Sequence, residues 1–393
     1  MLTAVIDLEY GALPDQITLP ERYGQALVLI RIADVPVGQV YVSLLHGQID
    51  STDLQAQINQ ALGQPACRRW IHTTLGLNEP APRASDVSVA VCTRNRPDDL
   101  RRCLESLMAL PDDGQELLVI DSAPSDQRTR DLVATFPRLR YLRADRPGLS
   151  VARNLAMREA HGAIVAFTDD DAVVDSGWLR ALARGLNDPL VACVTGLTMP
   201  LEFETEAQLA FERWMSSGRV FERREFYDRW YDPLSADAIG SGNNMAIRRS
   251  AWHEIGPFST AFGVSSEVRS GEAGLWFSQA VTWGYRIVYE PAALIWHRHR
   301  ATMAELMTVA RGYGMGHSAR TLHQLLVWHE GRAVGSITKI LLTYALPRLI
   351  DGLDRQRGTL LAPMMLAWLR GYLEGPGAYL AARRQMRQQG GEL

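Results

Sequence analysis

The sequence predicts an α/β fold built on a largely parallel sheet, and three observations carry that expectation. From Val87 onward, short apolar segments alternate with amphipathic ones, which is the pattern of repeated strand–helix units. The fourth of these apolar segments, Ile164 to Thr168, runs straight into three consecutive aspartates. In open α/β sheets, ligands gather at the carboxyl ends of strands. Finally, the chain is 47% apolar and 22% charged, a balance that supplies a buried core and excludes a disordered chain. At 393 residues, one substantial domain with smaller appendages at its ends is expected.

The first appendage covers residues 1–80 and is expected to be small and β-rich. Ala26 to Ile32 and Gln39 to Leu45 alternate in the manner of strands, and Pro36-Val37-Gly38 between them reads as the turn of a hairpin. A helix over Leu54 to Leu62 follows, then a linker at Asn78 to Arg83 marked by Pro80 and Pro82. The main domain spans 85–300. Its strands are expected at Val87 to Cys92, Leu117 to Asp121, Arg140 to Arg143 and Ile164 to Thr168, with helices at Asp98 to Leu110, Asp126 to Phe136 and Leu149 to Ala160. Leu190 to Met199 and Asn243 to Arg248 add two strands, and the polar, aromatic stretch Phe211 to Tyr231 between them reads as a loop. A C-terminal helical region, 301–393, carries helical patterns at Met303 to Ala310, Thr321 to Trp328, Ile337 to Ile350 and Leu360 to Tyr372. None reaches the roughly 20 uninterrupted apolar residues of a membrane span. Leu341 to Ile350 and Leu360 to Leu369 either pack on the domain or lie on a membrane surface.

Composition narrows the setting. Cys67, Cys92, Cys103 and Cys193 are scattered, which fits neither a zinc knuckle nor a disulfide framework. The start of the chain, with Asp7 and Glu9, lacks the basic flank and apolar run of a signal peptide. A cytoplasmic protein is expected, with peripheral contact to the inner face of the plasma membrane as the second option, since Arg383, Arg384 and Arg387 can meet anionic head groups. A net charge of −3 excludes a general nucleic-acid footprint.

The chemistry gathers at strand ends. Asp169, Asp170 and Asp171 would repel one another unless a cation or a hydrogen-bond network offsets them. Asp169 and Asp171 project on the same side of an extended backbone, and Mg²⁺ or Mn²⁺ takes such oxygen ligands. The alternative is a solvated acidic turn ahead of a helix near Ser176. Thr93-Arg94-Asn95-Arg96-Pro97 leads from the first strand into a helix, where an anion is welcome. Asp121 ends the second strand as an acceptor for the imide N–H of uracil or thymine, or as a cap for the next helix. Gly148 to Asn154 opens another helix, with Arg153 facing a diphosphate or simply solvent. No glycine-rich loop with a lysine follows a strand, and Gly312-Tyr313-Gly314-Met315-Gly316 follows a helix instead. Nucleotidyl transfer and dinucleotide-dependent redox chemistry are thereby disfavoured.

Taken together, these motifs resemble the family 2 glycosyltransferases of the GT-A fold, a nucleotide-binding α/β/α sandwich. The resemblance runs from Val87 to His299 and rests on Val89 to Arg96, Val119-Ile120-Asp121, Gly148 to Asn154, and Phe167 to Asp171 followed by Gly177-Trp178-Leu179. It implies an inverting, divalent-metal-assisted transfer of a hexose-type sugar from a UDP-, dTDP- or GDP-type donor to a glycan or lipid-linked hydroxyl, as in cell-envelope polysaccharide synthesis. By that likeness Thr93, Arg94, Arg96 and Asp121 hold the nucleoside, Asp169 lies at the ribose, and Asp171 takes the metal. Gly240 to Arg249, including Asn243 and Asn244, resembles the segment lining donor sugar and acceptor. Gly284 to Ala292 resembles the strand that precedes a histidine, here His297, which completes the metal or diphosphate site. His299 is left evenly between that site and an exposed turn. One departure stands out: the family's usual Glu-Asp is Glu272-Ala273, so the expected general base is a methyl group, and Leu275 and Gln279 replace an acidic residue and an arginine. Glu272 is the expected substitute base, with Glu267 second. A catalytically weak, donor-binding member is the alternative.

Overall fold

The computed structural model describes residues 2–77, 82–215, 219–227, 232, 234, 236, 239–353 and 361–388. The N-terminal region contains β1 (Leu2–Glu9), β2 (Gln16–Thr18), β3 (Tyr23–Ile32), β4 (Val35–Ser43), β5 (Gln48–Asp50), α1 (Ser51–Ala61) and α2 (Gln64–Thr74). The expected hairpin is β3–β4, but its turn is at Ala33-Asp34, where both residues adopt positive φ (49° and 62°). Pro36 to Gly38 instead belong to β4, where Pro36 faces Arg31 at a break in register. Two positive φ values in succession make the tight turn that matches strand twist, and a proline is tolerated at such an irregularity. The sequence reading also missed β1, which pairs parallel to β3, and the helix α2. Of the expected linker, residues 78–81 lie outside the described residues.

The central region follows as β6 (Val87–Thr93), α3 (Pro97–Met108), β7 (Glu116–Ser122), α4 (Arg128–Ala134), β8 (Leu139–Ala144), α5 (Leu149–Glu159), β9 (Ile164–Asp169) and β10 (Ala172–Val174). It continues through α6 (Trp178–Gly185), β11 (Val191–Pro200), α7 (Glu206–Met215), β12 (Arg224–Phe226), β13 (Asn244–Arg248), α8 (Arg249–Ile255), α9 (Glu272–Thr282) and β14 (Arg286–His297). The sheet runs β10-β14-β11-β13-β9-β6-β7-β8, with β12 also on β14. β9, β6, β7 and β8 are mutually parallel, whereas β13 is antiparallel to both neighbours. Helices cover both faces. On one, Leu100, Leu104 and Leu107 of α3 and Trp178 and Leu182 of α6 meet Val89 and Val91. On the other, Ala152 and Ala156 of α5, Trp252 of α8 and Trp276 and Phe277 of α9 meet Ala90 and Phe167. The stretch read as a loop, Phe211 to Tyr231, includes the end of α7 and all of β12, while 216–218 and 228–231 lie outside the described residues.

The N-terminal region is packed onto this sheet. Leu27 and Leu29 of β3 share a cluster with Leu197, Met199 and Leu294. Arg31 donates to Asp7 at 2.7 Å and to Asp175 at 2.6 Å, tying the hairpin to the segment just after β10.

The C-terminal region consists of α10 (Met303–Leu326), α11 (Ala333–Ile340), a π-helical turn (Leu341–Ala345), α12 (Leu346–Leu353) and α13 (Leu361–Gln388). Two of the expected short helices are thus one long α10, which Thr302 and Glu305 start with a reciprocal capping box. The glycine run Gly312 to Gly316 is the reason α10 and α13 approach so closely. A Cβ at Gly314 would lie 1.9 Å from the Trp368 carbonyl oxygen, one at Gly371 would lie 1.9 Å from the Arg311 carbonyl oxygen, and one at Gly316 would lie 2.9 Å from the Ser270 backbone.

This packing is testable by a pair of variants. Gly371→Ala should destabilise the protein by about 2 kcal/mol or more in denaturant unfolding, since overpacked backbone has nowhere to go. Gly377→Ala, at a position with open space around it, should be neutral or stabilising by up to ~1 kcal/mol.

Candidate active site

Strand register assembles the site. Thr93 at the end of β6 pairs with Asp121 on β7, and Cys92 pairs with Asp169 on β9, so three strand ends finish level. Past Asp169 the chain turns through Asp170 and Asp171 into β10, which pairs antiparallel with β14 so that Ala172 faces His297. That pairing, fastened by the Arg298 N–H donating to the Asp171 carbonyl at 2.9 Å, sets the His297 imidazole beside the Asp171 carboxylate.

The three aspartates have three different surroundings, and the second and third are buried, which rules out the solvated acidic turn. Asp170 accepts from Thr93 Oγ1 at 2.8 Å and from Arg96 Nη1 at 2.6 Å. Asp171 Oδ2 accepts from Arg96 Nη2 at 3.0 Å and lies 3.2 Å from Arg300 Nη1. Asp171 Oδ1 lies 3.0 Å from His297 Nε2, yet it is fully buried with no aligned hydrogen bond. Asp169 is half-buried, 3.8 Å from Arg153 Nη2.

The electrostatics follow from these contacts. Burial alone would raise Asp171, but His297, Arg96 and Arg300 outweigh it and hold the carboxyl far below the usual range. Burial and then the Asp171 charge raise Asp169. Burial opposes a charge on His297, but Asp171 and Asp169 overcome it and raise the imidazole above its ordinary value.

These residues fit a divalent cation. One ligand atom from each of Asp169, Asp171 and His297 can be chosen so that all lie within 4.8 Å of one another. Two neighbouring ligands on an octahedral ion with bonds of about 2.1 Å stand about 3 Å apart, which is the Asp171–His297 separation. Asp171 Oδ1, in ion-pair range of His297 but without an aligned hydrogen bond, is the kind of acceptor that a metal satisfies.

Asp121 is fully buried within β7 rather than capping a helix, since α4 starts only at Arg128. Its Oδ2 accepts from the Tyr141 hydroxyl at 2.9 Å, while Oδ1 has no partner, and burial raises its pKa. A lone acceptor in such a place suits an N–H donor.

The remaining residues divide between ligand-facing and supporting positions. Arg94 is exposed and donates to Ser265 at 3.0 Å. Arg153 is buried, not open to solvent: Nη1 donates to Glu272 at 2.7 Å and Nη2 to the Gly242 carbonyl at 2.8 Å. A single guanidinium therefore holds Glu272 beside Asp169. Glu272 is the first residue of α9, reached through Gly271 at φ 94°, and the helix N-terminus favours its negative charge. Ala273 is buried next to it. Asn243 accepts from Thr198 at 3.3 Å. Asn244 is fully enclosed, with its amide committed to Trp178, Leu197 and Ala293 at 2.8–2.9 Å, so it braces the sheet and has no polar atom left for a donor sugar. Glu267 is exposed and accepts from Gln385 at 3.4 Å, toward α13. His299 is buried against Phe211 with Glu212 3.5 Å away, which removes the exposed-turn alternative. Arg300 and Tyr141 were not singled out in the sequence, and Asp170 was read only as part of the acidic run. Arg300 offered a signal in lying next to His299, but Tyr141 had none beyond its place on the neighbouring strand.

Comparison with known proteins agrees with this fold. Residues 88–256 match the model of glycosyl transferase family 2. A pre-mycofactocin glycosyltransferase of Mycobacterium tuberculosis is 27% identical over 234 residues, 59% of this chain and 47% of that protein. The chain therefore spans about half the length of that relative. A glucosyl-dolichyl phosphate glucuronosyltransferase of Haloferax volcanii is 23% identical over 281 residues, 67% of this chain and 85% of that one. The structure of a mannosyltransferase from Pyrobaculum calidifontis in complex with GDP-Man and Mn²⁺ superposes with a TM-score of 0.50 at 19% identity, covering 79% of this chain and 94% of that one. That likeness establishes the GT-A fold.

The His297–Asp171 pair gives a pH dependence. With the folded pKa of His297 above its unfolded value, the pair's stabilisation is full below about pH 6.5 and fades as pH rises through the folded value. In metal-free protein, the melting-temperature gap between wild type and His297→Asn should therefore shrink from pH 6 toward pH 9. A gap that widens with pH would contradict the charged pairing.

Proposed function

Because this chain carries a family 2 glycosyl transferase domain, we propose that it transfers a hexose-type sugar, with inversion, from a nucleotide diphosphate donor to a hydroxyl acceptor. The observation that carries the proposal is the convergence of Asp169, Asp171 and His297 on one point beside a buried, half-satisfied Asp121. Asp169, Asp171 and His297 hold a divalent ion, which when bound offsets the charge of the departing diphosphate. Mn²⁺ fits better than Mg²⁺, because an imidazole joins the carboxylates. Asp121 Oδ1 accepts the imide N–H of uracil or thymine, so UDP- and dTDP-sugars are preferred over GDP-sugars.

Thr93 and Arg96 act indirectly, since both are spent on Asp170 and Asp171 and fix the acidic turn in place. Arg94 is exposed, held by the Ser265 hydroxyl at 3.0 Å, and reaches the nucleotide. On the acceptor side, Glu272 takes the proton from the attacking hydroxyl through Oε2, while Arg153 holds Oε1 and aims the carboxylate. The acceptor oxygen then bonds to the anomeric carbon as the bond to the diphosphate breaks. The acceptor is a glycan or lipid-linked hydroxyl.

Ala273 favours a second reading, a member that binds donor but transfers slowly. The family's usual aspartate is absent there, and a lost base costs on the order of 10² to 10⁴ in rate.

Turnover of UDP-, dTDP- and GDP-sugars with and without Mn²⁺ tests both readings. Asp171→Ala should abolish metal-dependent turnover. Glu272→Gln should lower kcat by roughly 10²-fold or more while leaving donor binding intact. Donor binding with only slow turnover in wild type, unchanged in Glu272→Gln, would select the second reading. No binding of any donor by folded protein would overturn both.

A further inference from the structure

The eighteen residues from Ala333 to Ile350 form a helix through α11, the π-helical turn and α12, with a mean hydropathy of 1.3. It is about 27 Å long at 1.5 Å per residue. Only Ala333 and Ala345 within it are buried. One side is fastened to the body of the protein, where Ile337, Ile340, Leu341, Tyr344 and Leu349 join the cluster around Trp368. The other side faces outward and is apolar: Val334, Leu342, Leu346 and Ile350 are exposed by 57%, 58%, 46% and 58%. An outward row of large aliphatic side chains is an interaction surface rather than ordinary protein exterior.

The charges within that row have a single sign. Between Glu330 and Asp351 there is no acidic residue, while Lys339 and Arg348 lie within the same stretch, and Arg332 at its edge is paired with Glu330 at 2.6 Å. Lys339 is on the exposed side, and Arg348 folds over the Tyr344 ring at 4.1 Å. The outer side of α13 carries a similar apolar row, with Leu366, Leu373 and Leu380 exposed at two-turn intervals and the exposed Arg384 beyond them, while Arg370 is paired with Glu374 at 3.0 Å. Aliphatic side chains interleaved with cations match a bilayer surface carrying anionic lipid, with the apolar row at the acyl boundary and the cations at the head groups.

We infer that the C-terminal helices dock this protein in-plane on an anionic membrane surface, through the outer face of Ala333–Ile350. The helix lies on the bilayer rather than crossing it, because its inner side is already packed against α10 and α13. The inference stands apart from the transfer reading, since docking needs neither donor nor metal.

Flotation of the full chain with phosphatidylcholine vesicles, with or without phosphatidylglycerol, tests it in the absence of nucleotide sugar. The protein should float with the anionic vesicles, much less with the neutral ones, and should be released by high salt. Leu342→Ser, Leu346→Ser and Ile350→Ser combined should weaken flotation at least about tenfold. Lys339→Gln should weaken it roughly fivefold, the worth of one cation near such a surface. Should the triple variant fail to fold by circular dichroism, Lys339→Gln and the lipid and salt dependence still decide the matter. Four outcomes overturn the inference: no flotation of wild type, unchanged flotation of a folded triple variant, salt- and carbonate-resistant insertion, or a stable dimer that buries the same residues without vesicles.

Discussion

The buried carboxylate of Asp171 is the constraint around which the rest of the site is arranged. A charge removed from water is costly unless it is paired and hydrogen-bonded, and Asp171 draws its partners from separate parts of the chain. Arg96 comes from the entry to α3, while His297 and Arg300 come from the end of β14 and the residues after it. Arg96 serves Asp170 as well, so the two adjacent carboxylates share one guanidinium. The two guanidiniums take Asp171 Oδ2 and leave Oδ1, which faces His297 Nε2 at 3.0 Å, beside the half-buried Asp169, a donor set that suits a hard cation beside a phosphate. The acidic turn is therefore built by the protein itself, and only its last ligand atoms remain for a metal.

The proposed acceptor side rests on a different guanidinium. Arg153 lies under the site, touching Glu272, the Gly242 carbonyl and, at longer range, Asp169. The segment leading to Glu272 is in turn pressed onto α10, where Ser270 Oγ donates to the Gly312 carbonyl at 2.8 Å and Gly271 packs on Gly316. The glycine run that failed the phosphate-loop pattern thus has a structural purpose. It lets α13 and the loop before α9 close on one helix, linking the C-terminal region to the position of Glu272.

Local patterns in the sequence were enough to place the strand–helix alternation and the aspartates at a strand end, because period and strand polarity are short-range properties. The partnerships were not legible there. Nothing near Asp171 in sequence announces His297, which the family resemblance alone brought to the metal site, since their contact depends on β10 pairing antiparallel with β14, more than a hundred residues later. For the same reason Arg153 read as a diphosphate or surface residue, although burial beneath Gly242 makes it a brace. Asn244 read as a donor contact but is enclosed by Trp178 and the neighbouring strands. The hairpin turn was misplaced because Pro36 and Gly38 are stronger turn signals than Ala33-Asp34, and register with Arg31 overrode them.

The central claim is that Asp169, Asp171 and His297 form one metal site that is completed by a nucleotide diphosphate. Electron spin-echo spectroscopy of Mn²⁺ added to the protein with UDP tests it most directly, because a bound imidazole nitrogen and the phosphorus of a bound diphosphate both leave their couplings on the ion. The account predicts a nitrogen coupling that disappears in His297→Gln, together with a phosphorus coupling from UDP. A phosphorus coupling with no nitrogen coupling, or a nitrogen coupling unchanged in His297→Gln, would contradict the proposed site.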